Sequence, residues 1–170
     1  AAGPSGGRAV VDPACGLGTL LLAAARAWKG EPPRLVGRDI STRGRSRGAR
    51  PTSPPAGPTP PRCSTGTRGS RAWPRLRSST LGDGEAEAVL CDLPCGDAHR
   101  RGADQASYGG FLREAGRVLR PGGRCVLLST RRDLLEAAVA EGPWQRLVAW
   151  RVARDERNAP QAWLLALERL

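Results

Sequence analysis

"RAVVDPACGLGTLLLAAARAWKGEPPRLVGRDI", residues 8–40, is the stretch that decides the fold. Its first six residues read as a short buried strand. "GTLLLAAARAWKG" follows with a helical pattern rich in Ala and Leu, closed by Gly30. "PRLVGRDI" then reads as a second strand after a short loop. Strand, helix and strand at this spacing form a βαβ unit, which implies a parallel sheet.

Gly16 and Gly18 lie between the first strand and the helix. Without Cβ atoms the backbone there can turn sharply and approach a ligand closely. The loop sits at the carboxyl end of a strand, where open α/β sheets bind ligands. Structural strand-to-helix turns also use Gly, so the loop alone names no ligand. The second strand ends in Asp39, roughly 20 residues further on, where an acidic residue can hold ribose hydroxyls in dinucleotide folds. Otherwise Asp39 is an N-cap or turn residue. The loop is not G-x-G-x-x-G and holds no Walker Lys, so neither NAD nor ATP is the natural ligand.

Beyond residue 80 the pattern resumes. "AEAVLCDLP" reads as a strand. "DQASYGGFLREAGRVL" reads as a helix, with Tyr108, Phe111, Leu112, Ala115, Val118 and Leu119 at helical spacing and two central Gly weakening its first turns. "RPGG" stops it. "RCVLLST" is another buried strand and "RRDLLEAAVAEG" another short helix. "QRLVAWRVA" and "AWLLALERL" read as two closing strands in a hairpin.

At 170 residues the chain suits one domain. It has no run of about 18 apolar residues, so no membrane span is expected. Its first residues lack Met and the apolar stretch of a signal peptide, as in a fragment of something longer. The five Cys show no paired C-x-x-C spacing, and buried reduced thiols of an intracellular protein are expected rather than a zinc site or disulfides.

The net charge of +11 suggests a polyanionic partner. Nine of the 27 basic residues, all Arg, fall in residues 43–80, which hold no Asp or Glu. Without them 18 basic residues face 16 acidic ones, a net of +2. The excess charge belongs to that segment. It carries seven Pro and Leu76 as its one Leu, Ile or Val, so it reads as disordered or loosely looped.

"DPACGLGTLLLAAA" resembles the first motif of class I S-adenosylmethionine (SAM)-dependent methyltransferases that act on exocyclic amines. In detail it is similar to that of the THUMP-domain guanine-N2 RNA methyltransferases, as are "VLCDLP" and "RVLRPGG". The resemblance covers most of the chain outside residues 43–80. It implies a Rossmann-like α/β fold, mostly parallel, with helices on both faces and a closing antiparallel hairpin. It further implies SAM as cofactor, with Asp12, Gly16 and Gly18 along the methionine part and Asp39 on the ribose. Asp92, Leu93, Pro94 and Gly96 match the family's catalytic Asp-Leu/Ile-Pro-Phe-Gly segment. Asp92 and Pro94 would be catalytic, and Leu93, Cys95 and Gly96 would meet the base. No metal is implied at this site.

An aromatic amine is a poor nucleophile because its lone pair is delocalised into the ring. A carboxylate accepting a hydrogen bond from the NH2, with a neighbouring backbone carbonyl, orients the amine and favours a pyramidal nitrogen. Asp92 could do this, with Pro94 stiffening the loop. The plainer reading is that Asp92 merely ends a strand. The family carries Phe or Tyr after the Pro, stacked on the base; Cys95 cannot supply that. RNA cytosine-5 methyltransferases also carry Pro-Cys here, but their nucleophile sits in a Thr-Cys-Ser segment, where this chain reads "LLSTRRD" with Arg131.

The implied partners are an RNA, either tRNA or small nuclear RNA, and a small zinc-binding activator subunit, with no membrane. The implied location is intracellular, in nucleus or cytoplasm, with the RNA-binding THUMP region absent on the N-terminal side. His99 lies in "DAHRRGAD", where a surface role is the default and phosphate contact with Arg100 and Arg101 the alternative. Three readings of residues 43–80 stay open: a basic RNA-binding insertion, an inert low-complexity loop, or an out-of-frame segment. Read one frame over, "RCSTGTRGSR" can encode an apolar strand ending in Gly-Asp-Ala, where the family expects its third strand. A catalytically impaired homologue is the non-enzyme alternative.

Overall fold

The four residues of β1, Ala9–Asp12, are all buried. A strand hidden on both faces needs neighbours on both edges and cover on both sides. The computed structural model, which describes residues 9–39, 62–65, 81–93, 105–152 and 161–170, supplies them. Helix α1, Thr19–Ala27, leads to β2, Arg34–Asp39, parallel to β1 with Asp12 opposite Gly37. β3, Arg62–Thr65, lies parallel on the far side of β2. β4, Ala86–Asp92, takes the other edge of β1.

Helix α2, Gln105–Val118, then β5, Leu119–Ser129, and helix α3, Arg132–Ala140, follow. The closing hairpin is β6, Trp144–Val152, and β7, Ala162–Arg169. The sheet order is β3-β2-β1-β4-β5-β7-β6, with β7 antiparallel to both of its neighbours. The expected α/β fold, mostly parallel with an antiparallel hairpin, is the observed one. Among the described residues no helix is long and apolar enough to cross a membrane.

The core lies on both faces of the sheet. On one face Tyr108, Phe111, Leu112 and Ala115 of α2 and Leu135 of α3 pack on Val11, Val89, Leu127 and Leu165. On the other, Leu21 of α1 packs with Val10 and Cys15, flanked by Leu35, Ala88 and Leu90. The two Gly of α2 do not break it, because its neighbours Tyr108, Phe111 and Leu112 are buried.

Two elements differ from the sequence reading. Residues 43–80 read as loose throughout, yet Arg62–Thr65 pairs with β2 in register, Val36 opposite Arg62 and Asp39 opposite Thr65. A four-residue edge strand needs backbone pairing more than apolar side chains, and the open edge of β2 offers that pairing. The rest of 43–80 lies outside the described residues. "RPGG", read as a stop between helix and strand, belongs to β5, which starts directly after α2. Arg120 is held there by Glu87 of β4, with Nη2 donating at 2.6 Å and Nε at 2.8 Å.

Cys15, Cys91 and Cys125 are buried free thiols, as the spacing implied. Burial pushes the Cys125 thiol well above its ordinary value of 9.0. Above pH 9 the unfolded chain therefore loses a proton that the folded chain keeps, so stability falls as pH rises. The expected loss from this group is up to about 1.4 kcal/mol per pH unit. Denaturant melts from pH 8 to 10.5 on the protein and on Cys125→Ala check it: the variant's decline should be shallower.

Candidate active site

Buried polar side chains mark the edge of the sheet that carries chemistry. Among the described residues these are Asp12, 1% exposed, and Ser129, 0% exposed, at the carboxyl ends of β1 and β5. Buried polar groups need partners. The Asp12 Oδ1 accepts the N–H of Ala14 at 3.0 Å, closing the turn that begins the glycine loop. The Cys15 N–H donates to the carbonyl of Arg38 at 2.8 Å, tying the loop to the end of β2. The Gly18 N–H donates to Cys15 O at 2.6 Å.

Gly16 and Gly18 have φ of 50° and 84°, the left-handed region that side chains resist. A Cβ on Gly16 would meet nothing within 4 Å, and Leu17 beside it is 83% exposed. The loop is thus fixed from below by Asp12 and Arg38 and open above. Gly18 caps α1 without a side-chain bond, so backbone N–H groups of the first helical turn face the same opening.

Asp39 closes β2, the strand next to β1. With neighbouring strands about 4.8 Å apart, it stands beside the glycine loop. Asp92 closes β4 on the other side of β1 and is exposed. β1 and β4 flank the switch point of the strand order, where open α/β sheets place ligands. The structure thus brings Asp12, Gly16, Gly18, Asp39 and Asp92 to one edge.

Leu93 departs from expectation. Read as a contact for the base, it is 0% exposed and part of the core. Its N–H donates to Leu128 O at 2.9 Å, so it extends the sheet ladder by one residue and turns its apolar side chain inward. Pro94, Cys95, Gly96, His99, Arg100 and Arg101 lie outside the described residues.

A pair that the sequence reading missed supports this edge. The Tyr108 hydroxyl of α2 and the Ser129 hydroxyl of β5 are 2.9 Å apart and buried. Ser129 Oγ also accepts the Arg131 N–H at 3.0 Å. The pair joins α2 to β5, the strand beside Asp92. The available signal was a Ser ending an otherwise apolar strand, "VLLS". Tyr108→Phe should lower stability by about 1–2 kcal/mol, because a buried hydroxyl loses its partner. Thermal melts should show a Tm lower by roughly 2–8 °C. Ser129→Ala on top of it should add less than its own cost.

No family model matches the chain, and no curated protein does. Solved structures do. TrmN from Thermus thermophilus is 25% identical over 97% of this chain and 45% of that one, with a TM-score of 0.65. This chain therefore spans less than half of TrmN. A SAM-dependent methyltransferase from Methanosarcina mazei is 13% identical over 95% of this chain and 92% of its own, with a TM-score of 0.60. Geranyl diphosphate C-methyltransferase from Streptomyces coelicolor A3(2) is 13% identical over 98% and 75%, also with a TM-score of 0.60. That enzyme was crystallised with S-adenosyl-L-homocysteine, consistent with SAM as the cofactor expected at the glycine loop. The fold is that of the Rossmann-like SAM-dependent methyltransferases.

Proposed function

We propose that this chain is the catalytic domain of a SAM-dependent RNA methyltransferase that modifies the exocyclic N2 amine of a guanosine, in tRNA or small nuclear RNA. The observation that carries this is one juxtaposition. A glycine loop anchored by buried Asp12 and an exposed Asp92 stand at the ends of adjacent strands, β1 and β4. The motif resemblance points to RNA and to the amine, and the 25% identity to TrmN over 97% of this chain supports the methyltransferase reading.

The residues fit the cofactor. The loop is open over Gly16, its backbone is held by Asp12 and Arg38, and Asp39 ends the neighbouring strand. Asp12, Gly16 and Gly18 would hold the methionine part, and Asp39 the ribose. When bound, SAM supplies an electrophilic methyl group. The chain's task is to present the amine. Asp92 would accept an N–H of the NH2 group, with a neighbouring backbone carbonyl as second acceptor, and draw the lone pair out of the ring. Methyl transfer would break the methyl–sulfur bond and release S-adenosyl-L-homocysteine, and Asp92 would pass the amine proton on toward solvent.

The small zinc-binding activator subunit and an intracellular setting in nucleus or cytoplasm belong to the same proposal. A second reading is supported by Cys95, which stands where the family has an aromatic: a homologue with weak or no transfer. Titration calorimetry with SAM separates them. Binding in the micromolar range, followed by N2-methylguanosine in digests of RNA incubated with enzyme and SAM, supports the first. Absence of heat at millimolar SAM supports the second. 5-Methylcytidine in the digest would overturn the amine assignment.

A further inference from the structure

The two ends of the sheet treat their arginines differently. At the amino end ion pairs join separate elements: Arg34 with Glu85, Arg117 with Asp83, and Arg120 with Glu87. At the carboxyl end, beyond β5, the balance shifts. Arg131 and Arg132 follow β5, and Arg151 is the last but one residue of β6. In the ladder Ser129 of β5 faces Trp163 of β7, and Trp163 faces Arg151 of β6. Directly opposed residues share a face, so Ser129, Trp163 and Arg151 form one row.

Arg132 stacks on this row, its guanidinium 4.1 Å from the Trp163 ring centroid. Its Nε donates to Glu136 at 2.8 Å, which leaves the two Nη groups their donors. Among the described residues Arg131 is paired with its near neighbour Asp133, and both are exposed. Such a surface pair contributes about 0–1 kcal/mol, so a phosphate can replace the carboxylate at little cost. Arg151 is exposed, and among the described residues no carboxylate pairs with it.

Position adds the function. The glycine loop and Asp39 place the cofactor over β1 and β2. The substrate must then reach Asp92 from the other half of the edge, over β5, β7 and β6. From β4 to β6 is three strand spacings, about 14 Å. That spans about four nucleotides of a stacked strand at 3.4 Å each.

We propose that Arg131, Arg132, Arg151 and Trp163 form the surface that carries the RNA strand leading into the site: the guanidinium groups on phosphates, with Trp163 holding Arg132 flat. This rests on the RNA reading above. The nine arginines of residues 43–80 do not decide it, because they contribute equally to every variant and cancel.

The test is the salt dependence of binding by the full chain. Two probes serve, an unmodified tRNA transcript and a 15-nucleotide single-stranded RNA with one guanosine, between 50 and 200 mM salt. Arg151→Gln and Arg132→Gln should each weaken binding roughly three- to tenfold at 100 mM. Each should also lower the log–log salt slope by about 0.7 on the single strand. SAM affinity should stay within twofold, and Arg151→Lys should keep the slope. If the parent binds and methylates RNA while both Gln variants keep its affinity and slope, the surface is overturned and the RNA reading stands. If the parent neither binds nor methylates either RNA, both are overturned.

Discussion

Asp92→Ala should lower the single-turnover rate of methyl transfer by at least about 10²–10³-fold while SAM affinity changes less than threefold. That range is what removal of one positioned electrostatic partner of a reacting group costs. The structure explains why the effect should be confined to chemistry. Asp92 is the exposed last residue of β4, so its side chain contributes little to the core. The backbone on either side is held independently, by the pairing of Asp92 with Leu128 and by the Leu93 N–H on Leu128 O. Buried Leu93 anchors the strand end whether or not the carboxylate is present. The cofactor-side groups, Asp12 and the glycine loop, belong to β1 and are fixed by Ala14, Arg38 and Cys15. Asp92→Asn keeps size and one acceptor oxygen but loses the charge, so its rate should fall between the two. A Tm within about 2 °C of the parent should accompany both. Transfer by Asp92→Ala within tenfold of the parent would remove Asp92 from the site.

Much of this arrangement could be read from the letters, for identifiable reasons. Residues 8–40 show a strand, a helix and a strand without ambiguity because period and punctuation agree: "AVVD" is apolar, Gly16 and Gly18 bracket the turn, and Gly30 and the prolines at 32 and 33 close the helix. The hairpin was legible as two strands, but its insertion order was not. That order is nonetheless explained by composition. β7 carries Leu164, Leu165, Ala166 and Leu167 in a row, as a strand paired on both edges must. β6 carries Gln145, Arg146 and Arg151, exposed charges and amides that blunt an outer edge.

The placement of candidate residues was legible where the residue type itself marks a strand end or a turn, as with Gly16, Gly18 and Asp92. It was illegible where action depends on a partner distant in sequence. Tyr108 looked like one more apolar position on a helix, and its hydroxyl meets Ser129, 21 residues away in sequence. Leu93 was misassigned because the motif groups it with Asp92, whereas strand alternation turns the two in opposite directions. The strand at Arg62–Thr65 escaped because its composition opposes burial, and its place follows from the open edge of β2.

Cys95→Phe should raise kcat/KM for RNA roughly tenfold to a hundredfold. In the family that the chain resembles, the residue after the Pro is an aromatic that stacks on the target base. Stacking on an aromatic is worth about 1–3 kcal/mol per base, and 1.4 kcal/mol is tenfold. A thiol offers no flat surface of that area, so under the proposed function the base would be held at Asp92 by hydrogen bonds alone and would spend less time in line with the methyl group. The gain should appear in kcat/KM at unchanged SAM affinity, because the cofactor-side residues stand on β1 and β2. It should be lost in Cys95→Phe with Asp92→Ala, since a well-stacked amine without the carboxylate is still a poor nucleophile. Cys95→Ala separates stacking from thiol chemistry: activity equal to the parent means that the sulfur takes no part. A fall of a hundredfold or more in Cys95→Ala would revive a covalent route of the cytosine-5 type. If Cys95→Phe leaves kcat/KM unchanged while Tm is preserved, the base does not lie against this position, and an approach of RNA over β5, β7 and β6 would need a different end point.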